Sequence, residues 1–260
     1  MRAVFLSDAH VRAHDDPNLP ALIAFLERVG TRVERVFIVG DLFDTWYAFP
    51  RAVFDEYVPL LGALHSLRRA GVRITYVTGN HDFEPGDYMS RILGAEVHDT
   101  EMVLDADGQR AFVAHGDMVN PADRRYRILR RVLRNPVTRW VARRSPPALV
   151  WRVGAALSET YAGDHSEARA RLVPVFAGYM SRKFEEGFTA VILGHLHLPL
   201  FHRSESGRTS VNLGDWIRWR TFLRWDDGVL ALRQWRWPEG AEDEFIPPEG
   251  RTWSLADTGP

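Results

Sequence analysis

Short apolar runs alternate with longer amphipathic segments along the first two hundred residues of the chain. The apolar runs are four or five residues long, as buried strands are, and they cover residues 3–6, 35–39, 74–77, 111–114 and 190–193. Between them, residues 19–29 and 54–69 place apolar side chains three and four positions apart, which predicts two amphipathic helices. Strands that alternate with helices indicate an α/β fold in which helices cover a sheet.

The pattern changes after residue 198, where short apolar runs are separated by turn residues. The runs cover residues 199–202, 209–213, 221–225 and 230–237, and the Asp227-Gly228 pair between the last two is a strong hairpin signal. We therefore expect antiparallel strands that complete a second sheet. Residues 238–260 are rich in Pro, Gly and acidic residues, which predicts a C-terminal tail outside a domain of residues 1–237.

The composition excludes several classes of protein and several kinds of site. The chain has 260 residues, 45% of them apolar and 26% charged, which is typical of a soluble globular protein and not of a disordered or fibrous one. Without cysteine it can form neither disulfides nor thiolate metal sites. The formal net charge of -1 argues against nucleic acid as a partner.

The beginning of the chain predicts a cytoplasmic protein. Its apolar run, residues 3–6, is much shorter than the core of a secretory signal, and the carboxylate of Asp8 follows it closely. No uncharged apolar stretch of the chain approaches the roughly 18 residues that a membrane-spanning helix needs.

Polar residues follow five of the predicted strands at the point where each strand ends. In an open α/β sheet this edge is where ligands bind, because loops from several strands meet there. The side chains are carboxylates, an amide and imidazoles, which suit divalent metals of intermediate hardness such as manganese, iron or zinc. Seven donors exceed the needs of one ion and suffice for a pair roughly 3.5–4 Å apart, which activates water and clamps phosphate oxygens. The seven donors are Asp8, His10, Asp41, Asn80, His115, His195 and His197.

These donors belong to five motifs that together resemble the signature of the calcineurin-like metallophosphoesterases over residues 1–200. The resemblance implies a four-layer α-β-β-α sandwich and a dinuclear metal site. Asp41 is the natural bridge between the two ions, because it follows a permissive glycine at the end of the second strand. The motifs are Asp8-Ala9-His10, Gly40-Asp41-Leu42-Phe43-Asp44, Gly79-Asn80-His81-Asp82, Ala114-His115-Gly116-Asp117 and Gly194-His195-Leu196-His197.

The same resemblance implies a role for each of these residues in phosphoester hydrolysis. A metal-bridging hydroxide would attack phosphorus in line. His81 would stabilise the pentacoordinate transition state or protonate the leaving group, and Asp44 and Asp82 would orient the ligating imidazoles or His81. The two metals would be held by Asp8, His10, Asp41 and His197, and by Asp41, Asn80, His115 and His195.

About eighty residues separate the fourth and fifth motifs, far more than a crossover helix requires. Residues 124–144 contain nine Arg and no acidic residue, and apolar side chains recur among them at helical spacing. This predicts an amphipathic helix, interrupted at Asn135-Pro136, within a helical cap insertion of about residues 120–186. The basic flank is suited to phosphate oxygens and the apolar stripe to an acyl chain or an anionic membrane surface, with a solvated basic face as the alternative. The stripe consists of Tyr126, Leu129, Leu133, Val137, Trp140 and Val141.

The insertion, together with Leu213-Gly214-Asp215-Trp216, resembles the UDP-2,3-diacylglucosamine hydrolase family of lipid A biosynthesis. The resemblance implies a manganese-dependent enzyme, peripheral on the cytoplasmic face of the inner membrane. It would cleave the pyrophosphate of a UDP-linked diacyl sugar to UMP and a lipid 1-phosphate, with the acyl chains in the cap. Substrate contacts are expected at Asp123, Arg124, Arg127 and Arg131.

Two positions depart from that family. It usually has Arg where this chain has His81, and it carries a lysine in a cap segment where this chain has Ser158-Glu159-Thr160. A second hypothesis therefore keeps the metal site and changes the substrate to a cyclic nucleotide, a phosphoprotein or another phosphodiester. Nothing in the sequence predicts the oligomeric state.

Overall fold

The computed structural model describes residues 1–30, 32–49, 52–84, 86–159 and 166–246. The strands are β1 (Arg2–Leu6), β2 (Arg35–Val39), β3 (Trp46–Tyr47), β4 (Arg73–Val77), β5 (Asp82–Glu84), β6 (Glu96–His98), β7 (Glu101–Ala106), β8 (Gln109–Ala114), β9 (Ala190–Leu193), β10 (Pro199–Arg203), β11 (Thr209–Leu213), β12 (Thr221–Asp226), β13 (Val229–Arg236) and β14 (Ala241–Glu244). The α-helices are α1 (Leu19–Gly30), α2 (Val58–Arg69), α3 (Arg124–Leu133), α4 (Pro136–Arg144), α5 (Pro147–Glu159), α6 (Ser166–Ala170) and α7 (Val173–Glu185).

Two large sheets form the centre of the fold. The first has seven strands in the order β14-β13-β12-β1-β2-β4-β6, and its members β1, β2, β4 and β6 are parallel. The second has five strands in the order β10-β11-β9-β8-β7, and its central members β11, β9 and β8 are parallel. A separate short ladder pairs β3 with β5.

Apolar side chains on both faces of each sheet produce four layers. The inner faces of the two sheets pack together through residues such as Phe5 and Val113. On the outer side of the first sheet, Leu22 of α1 and Leu64 of α2 pack into a second core. Phe176 of α7 covers the outer face of the second sheet. The fold is therefore the α-β-β-α sandwich, and its central strands are continuous apolar runs because both of their faces are buried.

The five apolar runs predicted as strands all form strands, and the two predicted helices form α1 and α2. The predicted hairpin at Asp227-Gly228 is confirmed by β12 and β13, but of the described strands after residue 198 only β10 and β11 belong to the second sheet. Strand β12 instead pairs antiparallel with β1 and continues into β13, so these two strands extend the first sheet. The reason is that β12 is apolar on both faces: Leu223 and Trp225 enter the core between the sheets, and Phe222 enters the outer core.

Part of the predicted tail also forms a strand. The edge strand β14 pairs with β13, and acidic side chains hold it in place. Glu242 accepts hydrogen bonds from Arg224, the shortest at 2.7 Å, and Asp243 accepts one from Arg236 at 2.9 Å. Residues 247–260 of the predicted tail lie outside the described residues.

In the described part of the chain between β8 and β9 there are five helices, α3 to α7. The predicted interruption near Asn135-Pro136 separates α3 from α4. The Asn135 side chain accepts a hydrogen bond from the backbone N–H of Val137 at 2.8 Å, and Pro136 occupies the first position of α4. None of the described helices combines the length and the apolar character that crossing a bilayer requires.

Candidate metal centre

The seven predicted metal donors converge at one edge of the two sheets. Asp8 and Asp41 each lie two residues after a parallel strand of the first sheet, and Asn80 lies three residues after a third such strand. His115 and His195 follow the parallel strands β8 and β9 of the second sheet within two residues. Because parallel strands end at the same edge, side chains remote in sequence come together there.

Five of the donors have a backbone conformation that residues other than glycine seldom adopt. Each residue in this left-handed region costs roughly 1–3 kcal/mol, so the surrounding structure must hold it in place. Hydrogen bonds between neighbouring loops do so, for example from the His10 N–H to the Asp41 carbonyl at 3.0 Å. The φ angles are 55° at Asp8, 45° at His10, 53° at Asp41, 69° at His195 and 54° at His197.

Glycines beside the donors allow this close packing. A Cβ atom at Gly40, where φ is +82°, would lie 2.4 Å from Nδ1 of His115. A Cβ atom at Gly79 would lie 2.2 Å from Oδ1 of Asp41. A larger residue at either position would push a donor out of place.

Asp8, His10 and His197 form the first group of donors. His197 Nε2 lies 3.2 Å from Asp8 Oδ1, and His10 Nε2 lies 3.7 Å from the same oxygen. The donor atoms lie within 4.8 Å of one another and the three side chains are buried. This spacing allows all three to bind one ion.

Asp41, His115, His195 and Asn80 form the second group. Asp41 Oδ2 lies 3.2 Å from His115 Nε2, and His195 Nδ1 lies 3.3 Å from the same nitrogen. The amide oxygen of Asn80 is 3.0 Å from it as well. Three kinds of donor thus meet around His115 Nε2, as ligands of a second ion would.

Asp41 lies between the two groups. Its Oδ2 is 3.2 Å from His115 Nε2 in the second group and 3.8 Å from His10 Nε2 in the first. Its Oδ1 accepts a hydrogen bond from the His81 N–H at 2.8 Å, which fixes the carboxylate. One carboxylate oxygen therefore faces both groups, as a bridging ligand requires.

The electrostatics of the site fit cations. Among the described residues, Asp8 Oδ1 and His10 Nε2 are buried and lack a hydrogen-bond partner, an arrangement that proteins rarely leave unsatisfied. Burial opposes the charging of His10, yet its contacts with Asp44 and Asp8 raise its pKa to about 10. Burial would raise the pKa of Asp8, but the charges of His197 and His115 lower it. Anionic carboxylates and unpaired donors together form a site suited to divalent metal ions.

Asp44 contacts two imidazoles of the site. Its Oδ1 lies 3.6 Å from Nδ1 of His10, and its backbone carbonyl accepts a hydrogen bond from Nδ1 of His81 at 2.6 Å. The His81 ring stands edge-on to the His10 ring, with 4.6 Å between centroids. Burial lowers the pKa of His81, and the charge of Asp41 counteracts part of that effect. Asp44 therefore contacts both rings, and its role in orienting them stays a prediction.

Asp82 contacts backbone groups and a tyrosine, and not the imidazoles it was expected to orient. It accepts hydrogen bonds from the N–H groups of Gly79 and Asp41 at 2.8 and 3.0 Å, and from the Tyr76 hydroxyl at 2.7 Å. Burial, with the charge of Asp41, raises its pKa to about 6. Asp82 thus connects the two loops that carry the candidate donors Asp41 and Asn80.

Asp215 is a residue that sequence reasoning noted only as part of a motif. Its Oδ2 lies 3.3 Å from Nδ1 of His197, and its Oδ1 accepts backbone hydrogen bonds from Arg218 and Trp219. A carboxylate on Nδ1 directs the lone pair of Nε2 toward the donor group. No local spacing rule connects Asp215 to His197, so the sequence alone offered no signal for this pairing.

A cavity of about 520 Å³ lies between the donors and the cap helices. On the cap side, its wall is the face of α3 that carries Tyr126, Leu129, Arg130, Leu133 and Arg134. Leu129 and Arg130 follow Tyr126 by three and four residues, and Leu133 and Arg134 each follow one of them by four, so all five share one side of the helix. Further apolar lining comes from Phe83, Leu157, Leu172, Phe176 and Ile217.

The four predicted substrate contacts fall in different places. Asp123, which caps α3 by accepting a hydrogen bond from the Tyr126 N–H at 2.9 Å, lines the cavity. Arg124, Arg127 and Arg131 are exposed and lie outside the lining, on the other side of the helix. As substrate contacts they stay predictions. The spacing of the apolar stripe could have indicated Arg130, which follows Tyr126 by four residues.

Asp117 joins the loop after β8 to the cap. The Tyr126 hydroxyl donates a hydrogen bond to Asp117 Oδ2, and Arg130 Nε donates to the same oxygen at 3.0 Å. Burial and the charge of Asp117 raise the pKa of Tyr126, so its hydroxyl remains a donor. Asp117, Tyr126 and Arg130 therefore form a hydrogen-bonded polar group in the cavity wall, between the metal donors and α3.

Comparison with known proteins decides the family. Residues 1–199 match the calcineurin-like phosphoesterase family. The chain belongs to this family. Membership of the calcineurin-like phosphoesterases implies a dinuclear site for divalent metals, and the two donor groups are candidates for it. The chain is therefore a metal-dependent hydrolase of phosphoesters or pyrophosphates.

Several relatives of this calcineurin-like phosphoesterase carry a more specific name. It is 30% identical to a UDP-2,3-diacylglucosamine hydrolase of Porphyromonas gingivalis, in an alignment that covers 88% of this chain and 95% of the relative. It is 29% identical to a UDP-2,3-diacylglucosamine hydrolase of Pseudomonas aeruginosa, covering 84% and 92%. Among solved structures, zinc-complexed Vps29 of Entamoeba histolytica is similar at 15% identity and a TM-score of 0.44, covering 94% and 96%.

Proposed function

We propose that this protein hydrolyses the pyrophosphate of a UDP-2,3-diacylglucosamine-like sugar nucleotide and releases UMP and a diacylglucosamine 1-phosphate. The observation that carries the proposal is the cavity, which has the metal donors at one side and apolar side chains of the cap at the other. A substrate with a charged diphosphate and two acyl chains needs both environments. The similarity to hydrolases of that name over most of their length supports the same substrate class.

The two donor groups are the metal ligands of this proposal. Manganese is the metal we propose, with iron and zinc as alternatives, because carboxylate, amide and imidazole donors suit ions of intermediate hardness. A bound pair supplies an activated water for attack on phosphorus and neutralises charge on the phosphate oxygens. The ligands are Asp8, His10, Asp41 and His197 for one ion, and Asp41, Asn80, His115 and His195 for the other.

His81 is the residue that we expect to act on the reacting phosphate. The hydrogen bond from Nδ1 to the Asp44 carbonyl fixes the ring, so Nε2 is the nitrogen that can reach a ligand in the cavity. A protonated ring donates from Nε2 to the leaving phosphate oxygen. Transfer of that proton returns the ring to the neutral form, which burial favours by lowering the pKa of His81.

The cap supplies the selective part of the site. Leu129 and Leu133 of α3 and Phe176 of α7 offer an apolar wall for acyl chains, and the Arg130 side chain enters the same cavity. In this proposal residues 1–237 are one catalytic domain, and the insertion of about residues 120–186 determines which phosphoester the metal site receives.

A membrane contact through α4 is the second part of the proposal. Trp140 and Val141 follow Val137 by three and four residues. The exposed fractions are 68% for Val137, 56% for Trp140 and 50% for Val141. The Arg144 guanidinium stacks on the Trp140 ring at 4.2 Å. Apolar side chains beside arginines suit the headgroup region of an anionic bilayer. Contact at the cytoplasmic face of the inner membrane would bring the cavity close to a lipid-linked substrate.

Release of UMP from UDP-2,3-diacylglucosamine, measured beside hydrolysis of an aryl phosphodiester, tests the substrate. We expect UMP release to dominate, to disappear on treatment with a chelator, and to return with added Mn²⁺. Cleavage of the aryl ester alone would contradict the lipid substrate and support the second candidate, a general phosphodiesterase. The presence of His81, where the diacylglucosamine hydrolases usually have Arg, is the observation that favours this second candidate.

A further inference from the structure

Arg134, the residue that directly follows α3, reaches from the cap into the loops of the sandwich. Its Nη1 donates to the carbonyl and to Oδ1 of Asp99 at 3.0 and 2.7 Å. Its Nη2 donates to Thr78 Oγ1 at 3.2 Å and to the Gly79 carbonyl at 3.1 Å. Only 12% of the side chain is exposed. One guanidinium therefore connects the cap to the loop after β4 and to the turn before β7.

Hydrogen bonds fix both peptide groups of Gly79, one through its N–H and the other through its carbonyl. The Gly79 N–H donates to the buried carboxylate of Asp82 at 2.8 Å, and the Gly79 carbonyl accepts from Arg134. That carbonyl belongs to the planar peptide group that leads to Asn80, so it cannot rotate without moving the Asn80 backbone. The Asn80 amide oxygen lies 3.0 Å from His115 Nε2 in the second donor group.

We propose that Arg134 is a positioning residue for the second metal ion. It holds the Asn80 amide in its ligating position and makes the affinity for that ion depend on the docked cap. This inference rests on the proposed role of Asn80 as a ligand. The planar fork of arginine is needed, because a single ammonium group cannot bond Asp99 and the Gly79 carbonyl in the same geometry.

The alternative is that Arg134 only attaches the cap, in which case its loss would lower stability and leave the metal affinities unchanged. Calorimetric titration of the metal-stripped, full-length protein with Mn²⁺ separates the two. We expect two binding events in the unsubstituted protein. Arg134→Met should weaken one of them about 10-fold to 100-fold, the usual effect of losing a residue that orients a ligand, and leave the other unchanged. The affinity of Arg134→Lys for that ion should lie between the affinities of Arg134→Met and of the unsubstituted protein.

Two further variants make the titration specific. Arg125→Met removes the same charge from an exposed position on the same helix and should leave both affinities unchanged. Asn80→Ala should weaken the same binding event as Arg134→Met. Melting temperatures, measured on each metal-stripped variant, show which variants are folded. If Arg134→Met does not fold, Arg134→Lys and Asn80→Ala carry the comparison.

Unchanged affinity for both ions in folded Arg134→Met or Arg134→Lys would overturn the proposal, and so would an equal weakening of both. If Asn80→Ala leaves both affinities unchanged, the ligand assignment is wrong and the role of Arg134 fails with it. If Asn80→Ala weakens Mn²⁺ binding and the Arg134 variants do not, the role of Arg134 is refuted and the assignment of Asn80 as a ligand stands. None of these measurements uses the lipid substrate, so a failure of the proposed reaction does not change their outcome.

Discussion

The metal donors and the cap helices are held in place in different ways. Five of the seven donors are buried near the ends of the central strands, and Asn80 and His195 are half-buried. Backbone hydrogen bonds between neighbouring loops maintain the strained conformations. Helices α3 and α4 of the cap contact the sandwich through arginine side chains. Arg139 and Arg143 lie 3.0 and 3.4 Å from the buried carboxylate of Glu84, and Arg130 pairs with Asp117. In the function proposed above, these two regions have different roles: the sandwich holds the metal donors, and the cavity wall of the cap selects the substrate.

The strongest test of this division is the bridging carboxylate. Asp41→Asn keeps the shape of the side chain and removes its charge from between His115 and His10. We expect kcat/KM to fall at least about a thousand-fold, because the metals supply several kcal/mol of charge stabilisation in the transition state. The loss should be equal for UDP-2,3-diacylglucosamine and for an aryl phosphodiester, since both need the same metals.

Asp105→Asn is the matched control, because Asp105 is an exposed carboxylate of β7 away from the site. It should retain full activity and full metal content. An Asp41→Asn enzyme that loses activity on one substrate and keeps it on the other would break the division between the two regions.

The donor half of the site was predictable because its information is local. Each donor lies within a few residues of an apolar run, and parallel strands bring such positions to one edge in almost any α/β sheet. Asp215 and Arg134 were not predictable as partners of His197 and Gly79. Their contacts join positions about 18 and 55 residues apart, and they depend on how finished layers pack.

The cap shows where periodicity stops being informative. Helical spacing predicted α3, the break at Pro136 and α4, but it treated the apolar stripe as one surface. The structure divides that stripe: Leu129 and Leu133 face the cavity, while Val137 and Trp140 are exposed. Spacing identifies which residues share a helix face, but the direction of that face is set by tertiary packing.

Leu129→Asn tests whether the cavity wall selects the substrate. The substitution places an amide of similar size on the apolar cavity wall that α3 forms. We expect kcat/KM for the diacyl substrate to fall about 10-fold to 100-fold, as loss of roughly 1.5–3 kcal/mol of apolar burial predicts. The aryl phosphodiester should be cleaved at the unsubstituted rate, because it does not reach the wall.

Ile128→Asn is the control for the same chemical change one residue away. Ile128 is 60% exposed and lies outside the cavity lining, so neither substrate should respond. Equal losses in the two variants would indicate damage to the helix, and equal losses on both substrates would place the wall within the reaction machinery.

Val137→Ser should have the smallest effect, confined to the exposed side of the cap. Val137 is 68% exposed on α4, and Val229, at the start of β13, is 60% exposed and serves as control. With vesicles rich in phosphatidylglycerol, Val137→Ser should weaken binding about 3-fold to 10-fold, since a partly buried valine contributes up to about 1.5 kcal/mol. Val229→Ser should bind as the unsubstituted protein does. Equal binding of both variants to the vesicles in co-sedimentation would refute α4 as the membrane contact. The role of the cap would then be limited to the cavity wall.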